Sequence, residues 1–246
     1  MPERFLVLQS SYKVLTIGIC ENGRITDRST EAKLTTSASL VPLAIQLLER
    51  NSLSLKDLSG IIIDQGPGAF GSLRVLLSTA NAVGFALKLP LIGVDGLNTL
   101  AHDVIDNYTG ARTDENILLV TMLNAYSVEC YYGLYEVNLA QRKILQTFDR
   151  SYMKVYTLIE LLIKRYPQHK QLFVGNGVPI YGHMIMEQLG DRSTCINDAF
   201  DLASIDTIAH YGFKQWQTDQ QHVYRLMPLY LKMQMYTSAP SFNPAS

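Results

Sequence analysis

The chain has 246 residues, enough for one or two compact units, and is 47% hydrophobic against 17% charged, which excludes a disordered protein and permits a large core. Its 21 basic and 22 acidic side chains leave a formal net charge of −1, so the basic excess with which a protein grips a nucleic-acid backbone unaided is missing. Cys20, Cys130 and Cys195 are far apart and form no CxxC pair, which excludes a disulfide framework or a cysteine-ligated zinc site and fits a reducing compartment.

In chain order, the N-terminal run MPERFLVLQSSYK lacks a signal-peptide cleavage pattern. No apolar run approaches the roughly 20 residues that span a bilayer, so no membrane contact and a cytoplasmic location are expected. Residues 5–8 and 14–20 are strand-like. The Asn22-Gly23 turn leads to a third strand near 24–30, completing an antiparallel meander. Residues 37–50 read as a helix, with Ser37 or Ser39 as cap and Pro42 in its first turn. Strand 60–63, a glycine loop, helix 72–88 stopped by Pro90, and strand 91–94 make a parallel crossover unit. Strands 117–123 and 128–137, helix 155–166, strand 172–174, the Gly175-Asn176-Gly177 turn and helix 180–189 repeat that plan, which predicts a duplicated α/β lobe. A helix near 202–217 and a short run at 228–231 finish the fold, with lobe boundaries expected at 1–103, completed by about 205–235, and at 104–204. Residues 237–246 read as a disordered tail.

Two of these helices are apolar almost all round, whereas a surface helix carries a polar face. The first has Leu40, Val41, Leu43, Ala44, Ile45, Leu47 and Leu48; the second mixes small residues with Leu76, Leu77, Val83 and Phe85. Either both are sandwiched inside the fold, or together they form a protein–protein interface, since an open patch of that size invites aggregation. The loop Gly66-Pro67-Gly68-Ala69-Phe70-Gly71-Ser72-Leu73-Arg74 has the GxGxxG spacing but no Walker lysine, and only Asp95 lies where a ribose-binding acid would stand. It reads as a tight strand-to-helix turn before it reads as a phosphate site.

GPGAFGSLR resembles the GPGSFTGLR signature of the TsaB (YeaZ) family, with Ala69, Gly71 and Ser72 departing from it. SLVPLAIQLL at 39–48, LPLIGVDGLNTLA at 89–101, FVGNG at 173–177 and MPLYLK at 227–232 follow in the family's order, so the similarity runs from residue 5 to about 232. The resemblance implies an α/β, actin-like and Hsp70-like (ASKHA) fold of two ribonuclease-H-like lobes, with mixed sheets flanked by helices. It also implies a subunit without its own catalysis, pairing with a TsaD-like protein in threonylcarbamoyl transfer to the adenosine 3′ of certain anticodons in tRNA. A TsaE-like ATPase joins the larger complex and a TsaC-like protein supplies the threonylcarbamoyl adenylate. ATP and metal are expected in the partner subunits and no cofactor in this one; tRNA is met only through the complex, and a homodimer is expected when the chain is alone.

The resemblance places the partner interface on the two apolar helices, with Leu40, Leu43, Ala44, Leu47, Leu76, Thr79, Ala80 and Val83 as its residues. Gly66, Pro67, Gly68, Phe70, Leu73 and Arg74 carry the signature loop. Three departures remove charge: Gln9 stands for the aspartate of the family's first strand, Asn124-Ala125-Tyr126 for its DAR, and Thr36-Ser37 for its His-Ser. No catalytic or metal residue is assigned. His102, His169, His183, His210 and His222 show no ligand pairing, and no Ser or Cys has an evident His–Asp partnership. The competing expectation is an actin-fold enzyme acting alone, ATP-dependent or metallopeptidase-like. The tyrosines at 126, 131, 132, 135, 224, 230 and 236 could stack on bases, but with few cations beside them sheet packing is the expected role.

Overall fold

The computed structural model describes residues 2–10, 12, 14–32, 36–110, 114–197, 199–218 and 223–231, with only the backbone at 36 and 37. Residues 237–246, Lys232, Tyr236, His222 and the side chains of Thr36 and Ser37 therefore lie outside the described residues.

Two five-stranded sheets organise the chain. The first contains β1 (Arg4–Ser10), β2 (Val14–Glu21), β3 (Arg24–Ala32), β4 (Gly60–Asp64) and β5 (Leu91–Val94), in the order β3-β2-β1-β4-β5. β1, β2 and β3 pair antiparallel, while β4 lies parallel to β1 and β5 to β4. The parallel strands are joined by α1 (Thr36–Arg50) and α2 (Phe70–Leu87), and α3 (Gly96–Asn107) follows β5. The second sheet contains β6 (Asn116–Asn124), β7 (Glu129–Asn138), β8 (Lys143–Lys154), β9 (Gln171–Val174) and β10 (Ser193–Cys195), in the order β10-β9-β6-β7-β8. It repeats the first: an antiparallel meander, then two parallel strands, with α4 (Val155–Arg165) and α5 (Val178–Leu189) as crossovers and α6 (Ile205–Thr218) closing the chain of elements. The duplication read from the sequence is thus present in the topology.

The core has three layers because the central strands are buried on both faces, as parallel sheet interiors require. Along β1 the side chains alternate with the pleat. Leu6 and Leu8 point to α1 and α2, packing with Leu40, Leu47, Leu76 and Leu77. Phe5 and Val7 point the other way, into a layer shared by both sheets with Leu97 and Leu100 of α3 and Ile208 of α6. β6 divides in the same manner, Leu119 entering that shared layer while Leu118 and Val120 pack with Leu158 of α4 and Ile185 of α5. α3 therefore fills the space between the sheets.

Neither α3 nor β8 nor β10 stands among the elements expected from sequence. α3 has a cap signal, the Asp95 side chain accepting from Asn98 N at 3.0 Å. Its many polar residues hide the apolar stripe that Leu97, Leu100, Ala101 and Val104 bury. β8 is a half-exposed edge strand and alternates weakly. α2 starts at Phe70, two residues before the expected position. By length and composition alone α2 would pass as a membrane-crossing helix. Here Leu73, Leu76, Leu77, Ala80 and Gly84 face its own sheet instead.

After α6, residues 223–231 form an extended strap along the first sheet. Leu91 N donates to Val223 O at 2.7 Å, and Leu229 N to Gln65 O at 3.1 Å. On α2, the Asn81 side chain takes both hydrogen bonds of Leu226: Leu226 N donates to its Oδ1 at 2.8 Å, and its Nδ2 donates to Leu226 O at 2.9 Å.

Candidate functional site

α1 and α2 lie side by side over the first sheet. Leu40, Leu47, Leu76 and Ala80 are buried in the lobe's own core, Leu43 and Ala44 nearly so, and Thr79 and Val83 are half-buried at the seam between the helices. Most of the eight residues expected at an interface are therefore held inside the chain. The apolar surface that α1 and α2 leave open includes Val41 and Ile45 on α1 and Phe70, Phe85 (83% exposed) and Leu87 on α2. Between the helices runs a narrow apolar groove of about 40 Å³, walled by Val41, Ala44, Ile45, Thr79, Ala80 and Val83. A helical wheel without a polar face cannot tell the sheet-facing side from the open one, so the sequence alone does not say which residues of these helices the sheet covers.

The signature loop joins β4 to α2. Gly66 sits at φ +89°, where a side chain would also collide with Leu73, so only glycine fits. The Gly66–Pro67 peptide is cis. Leu73 anchors the loop in the core, and the Arg74 guanidinium stacks 3.6 Å above the exposed ring of Phe70. A methyl group built on Gly68 or Gly71 would meet nothing, and neither has a positive φ. Packing within the described residues thus does not demand glycine at either position.

Between the lobes opens a cleft of about 270 Å³ lined by Gly68, Phe70, Asn124, Tyr126, Tyr131 and Tyr230, among others. Of the residues that depart from the family pattern, Asn124, Ala125 and Tyr126 line this cleft, and Asn124 and Gln9 are already engaged. Gln9 Nε2 donates to Ala203 O at 2.7 Å, and Asn124 accepts through its backbone oxygen from Tyr12 OH at 2.6 Å. Asn124 Oδ1 accepts from Tyr126 N at 2.9 Å and from Tyr181 OH at 3.1 Å. These groups are amides and phenols with protein partners, so positions 9 and 124 do not fit a metal ion or a phosphate-bound metal. Among the described residues no three His, Cys, Asp or Glu side chains form a metal site. Asp64, at the end of β4, accepts from Gly66 N at 3.0 Å; burial and the neighbouring Asp95 push its carboxyl up to about 6. Asp95 in turn pairs with Arg150 of β8. His102 stacks on Tyr211 at 4.1 Å, and burial lowers its pKa, the behaviour of a packed histidine. Tyr132 and Tyr135 are buried in the sheet, whereas Tyr126, Tyr224 and Tyr230 are exposed.

The family model described as "TsaD: tRNA N6-adenosine threonylcarbamoyltransferase" matches residues 30–232. The chain is similar to the tRNA threonylcarbamoyladenosine biosynthesis protein TsaB of Buchnera aphidicola subsp. Baizongia pistaciae, 24% identical over 234 residues that cover 94% of this chain and 99% of that one. The protein of the same description from Bacillus subtilis is 24% identical over 221 residues, covering 89% and 90%. Among solved structures, YeaZ from Pseudomonas aeruginosa superposes with a TM-score of 0.66 at 19% identity, over 93% of this chain and all of that one. That likeness covers both lobes and places the two repeated sheets in the actin-like class.

Proposed function

The chain belongs to the TsaD family of tRNA N6-adenosine threonylcarbamoyltransferase, in its TsaB (YeaZ) branch, and on that premise we propose that it is the non-catalytic partner of a TsaD-like subunit in threonylcarbamoyladenosine synthesis. The observation that carries the reading is the open apolar face of Val41 and Ile45 beside the apolar groove between α1 and α2, with the exposed Phe85 elsewhere on α2. Exposed aromatic and aliphatic side chains around a shallow groove are what a partner's helices bury as an anchor. ATP and metal chemistry belongs to the partner subunits, a TsaE-like ATPase among them. The side-chain amides at Gln9 and Asn124 favour that division of labour over an actin-fold enzyme acting alone. Alone, the same face pairs with a second copy of the chain.

Light scattering on the eluting peak of a size-exclusion column tests this, with the chain alone and mixed with its cognate TsaD-like protein. A one-to-one complex that is lost in Val41→Glu/Phe85→Glu, with the variant's melting temperature unchanged, is the expected result. Separate, unshifted peaks for the native pair would overturn the partner reading. Turnover of magnesium-ATP by the chain alone would overturn the non-catalytic one.

A further inference from the structure

The interlobe cleft carries one connected set of hydrogen bonds that the partner reading does not use. It starts in the first lobe, where Tyr12, in the turn between β1 and β2, donates from its hydroxyl to the backbone oxygen of Asn124 at the end of β6. Asn124 N donates to Asn176 Oδ1 at 2.8 Å, and Asn176 N donates to Asp201 O at 2.8 Å. Two residues further along that loop, Ala203 O accepts from Gln9 Nε2 of β1, which returns the path to the first lobe. Next to it, Ser204 N donates to the buried carboxylate of Asp103 in α3 at 2.6 Å. The path runs from lobe to lobe twice, and every link among Tyr12, Gln9, Asn124 and Asn176 is neutral.

Backbone strain marks the same place. Tyr126, Ser127 and Val128 have φ of 62°, 53° and 59°, three consecutive left-handed residues, one of them β-branched. Each such residue costs on the order of 1 kcal/mol or more and persists only where its surroundings over-determine it. The surroundings here are Asn124 Oδ1 on Tyr126 N, a bond from Glu129 N to Tyr126 O at 2.9 Å, and one from Val155 N to Val128 O at 3.0 Å. The turn presents Tyr126 to the cleft with its ring 6.2 Å from that of Tyr12. Gly175, at φ +110° and against the backbone of Met122, is the residue that lets Asn176 come this close.

We propose that Tyr12, Gln9, Asn124 and Asn176 form a neutral interlobe lock that holds the two lobes in one closed arrangement, so that the chain does not open and shut around a nucleotide. Burial raises the Tyr12 hydroxyl above its ordinary range, and the lock therefore keeps its protons across physiological pH. Among the described residues Asp95 and Arg150 also tie the lobes, by a partly exposed ion pair that salt screens. The four lock residues carry no charge themselves; the titratable groups facing them are Asp64, which accepts from the Gln9 side chain, and the buried Asp103 next to Ala203.

The test is a distance measurement between spin labels at Glu49→Cys on α1 and Lys164→Cys on α4, in a Cys195→Ser background that leaves the buried Cys20 and Cys130 unlabelled. Both labelled positions are exposed. A single narrow distance distribution, unchanged by magnesium-ATP and by 1 M salt, is expected for the otherwise native chain. Gln9→Ala/Tyr12→Phe is expected to broaden the distribution or add a second, longer distance. A native distribution that is broad or shifts with magnesium-ATP overturns the lock, and so does an unlocked variant with the native distribution. Should the double variant fail to fold, Tyr12→Phe alone, which removes one hydroxyl, decides the same question. The lock concerns this chain alone, and failure of partner binding would leave it standing.

Discussion

Asp64 and Gln9 stand side by side at the ends of β4 and β1, and their chemistry makes opposite demands on the fold. Asp64 has a native carboxyl pKa of about 6 against 3.8 unfolded, because burial and Asp95 disfavour its charge. The native state then holds this proton more tightly than the unfolded chain. The associated stability is fully present below pH 4 and is lost as pH rises through 6. Asp64→Asn, which keeps the acceptor for Gly66 N, should raise stability at pH 8 by about 1–2 kcal/mol. It should also flatten the pH dependence of the melting temperature between 4 and 6; an unchanged slope would mean that another group titrates there. Gln9→Asp places an acid that cannot donate opposite Ala203 O, close to the Asp64 carboxylate. A loss of about 2–3 kcal/mol in urea unfolding at pH 7.5 is expected, shrinking as pH falls through 6.

At the scale of elements, α1 and α2 each divide into a side that holds the lobe together and a side that is free. Leu47→Ala should cost about 2–5 kcal/mol of stability, since Leu47 is buried beneath α1. Ile45→Ala, two residues away on the opposite, open side, should cost less than about 1 kcal/mol and weaken partner binding instead. Calorimetry and binding on the same two variants separate the two sides of the helix. The strap at 223–231 depends on a single side chain, Asn81, for both hydrogen bonds of Leu226. Asn81→Ala should therefore expose the strap to limited proteolysis while lowering global stability by only about 1–2 kcal/mol. The duplicated elements were legible because their strands are short apolar runs bounded by turn residues and their crossover helices are long. α3 and β8 were not, because a polar composition in one and an exposed edge in the other dilute the periodicity that marks an element.

For the whole molecule, the sequence by itself determined the two-lobe plan, the repeat that builds it and the family. Those rest on local features: short apolar strand runs bounded by turn residues, long crossover helices, and a loop motif whose order along the chain survives divergence. It also determined that two helices carry more apolar surface than one sheet can use. Only the tertiary structure decided which residues of those helices remain outside, because a helix without a polar face has no internal mark of orientation and its sheet chooses for it. Only the tertiary structure gave Gln9 and Asn124 a role. Read along the chain they are lost charges; in space the Gln9 amide donates to Ala203 O, the Asn124 backbone joins Tyr12 OH and Asn176 Oδ1, and its side-chain Oδ1 accepts from Tyr181 OH, all far away in sequence. Such partners are set by how the lobes close on each other, and no spacing within one segment encodes that.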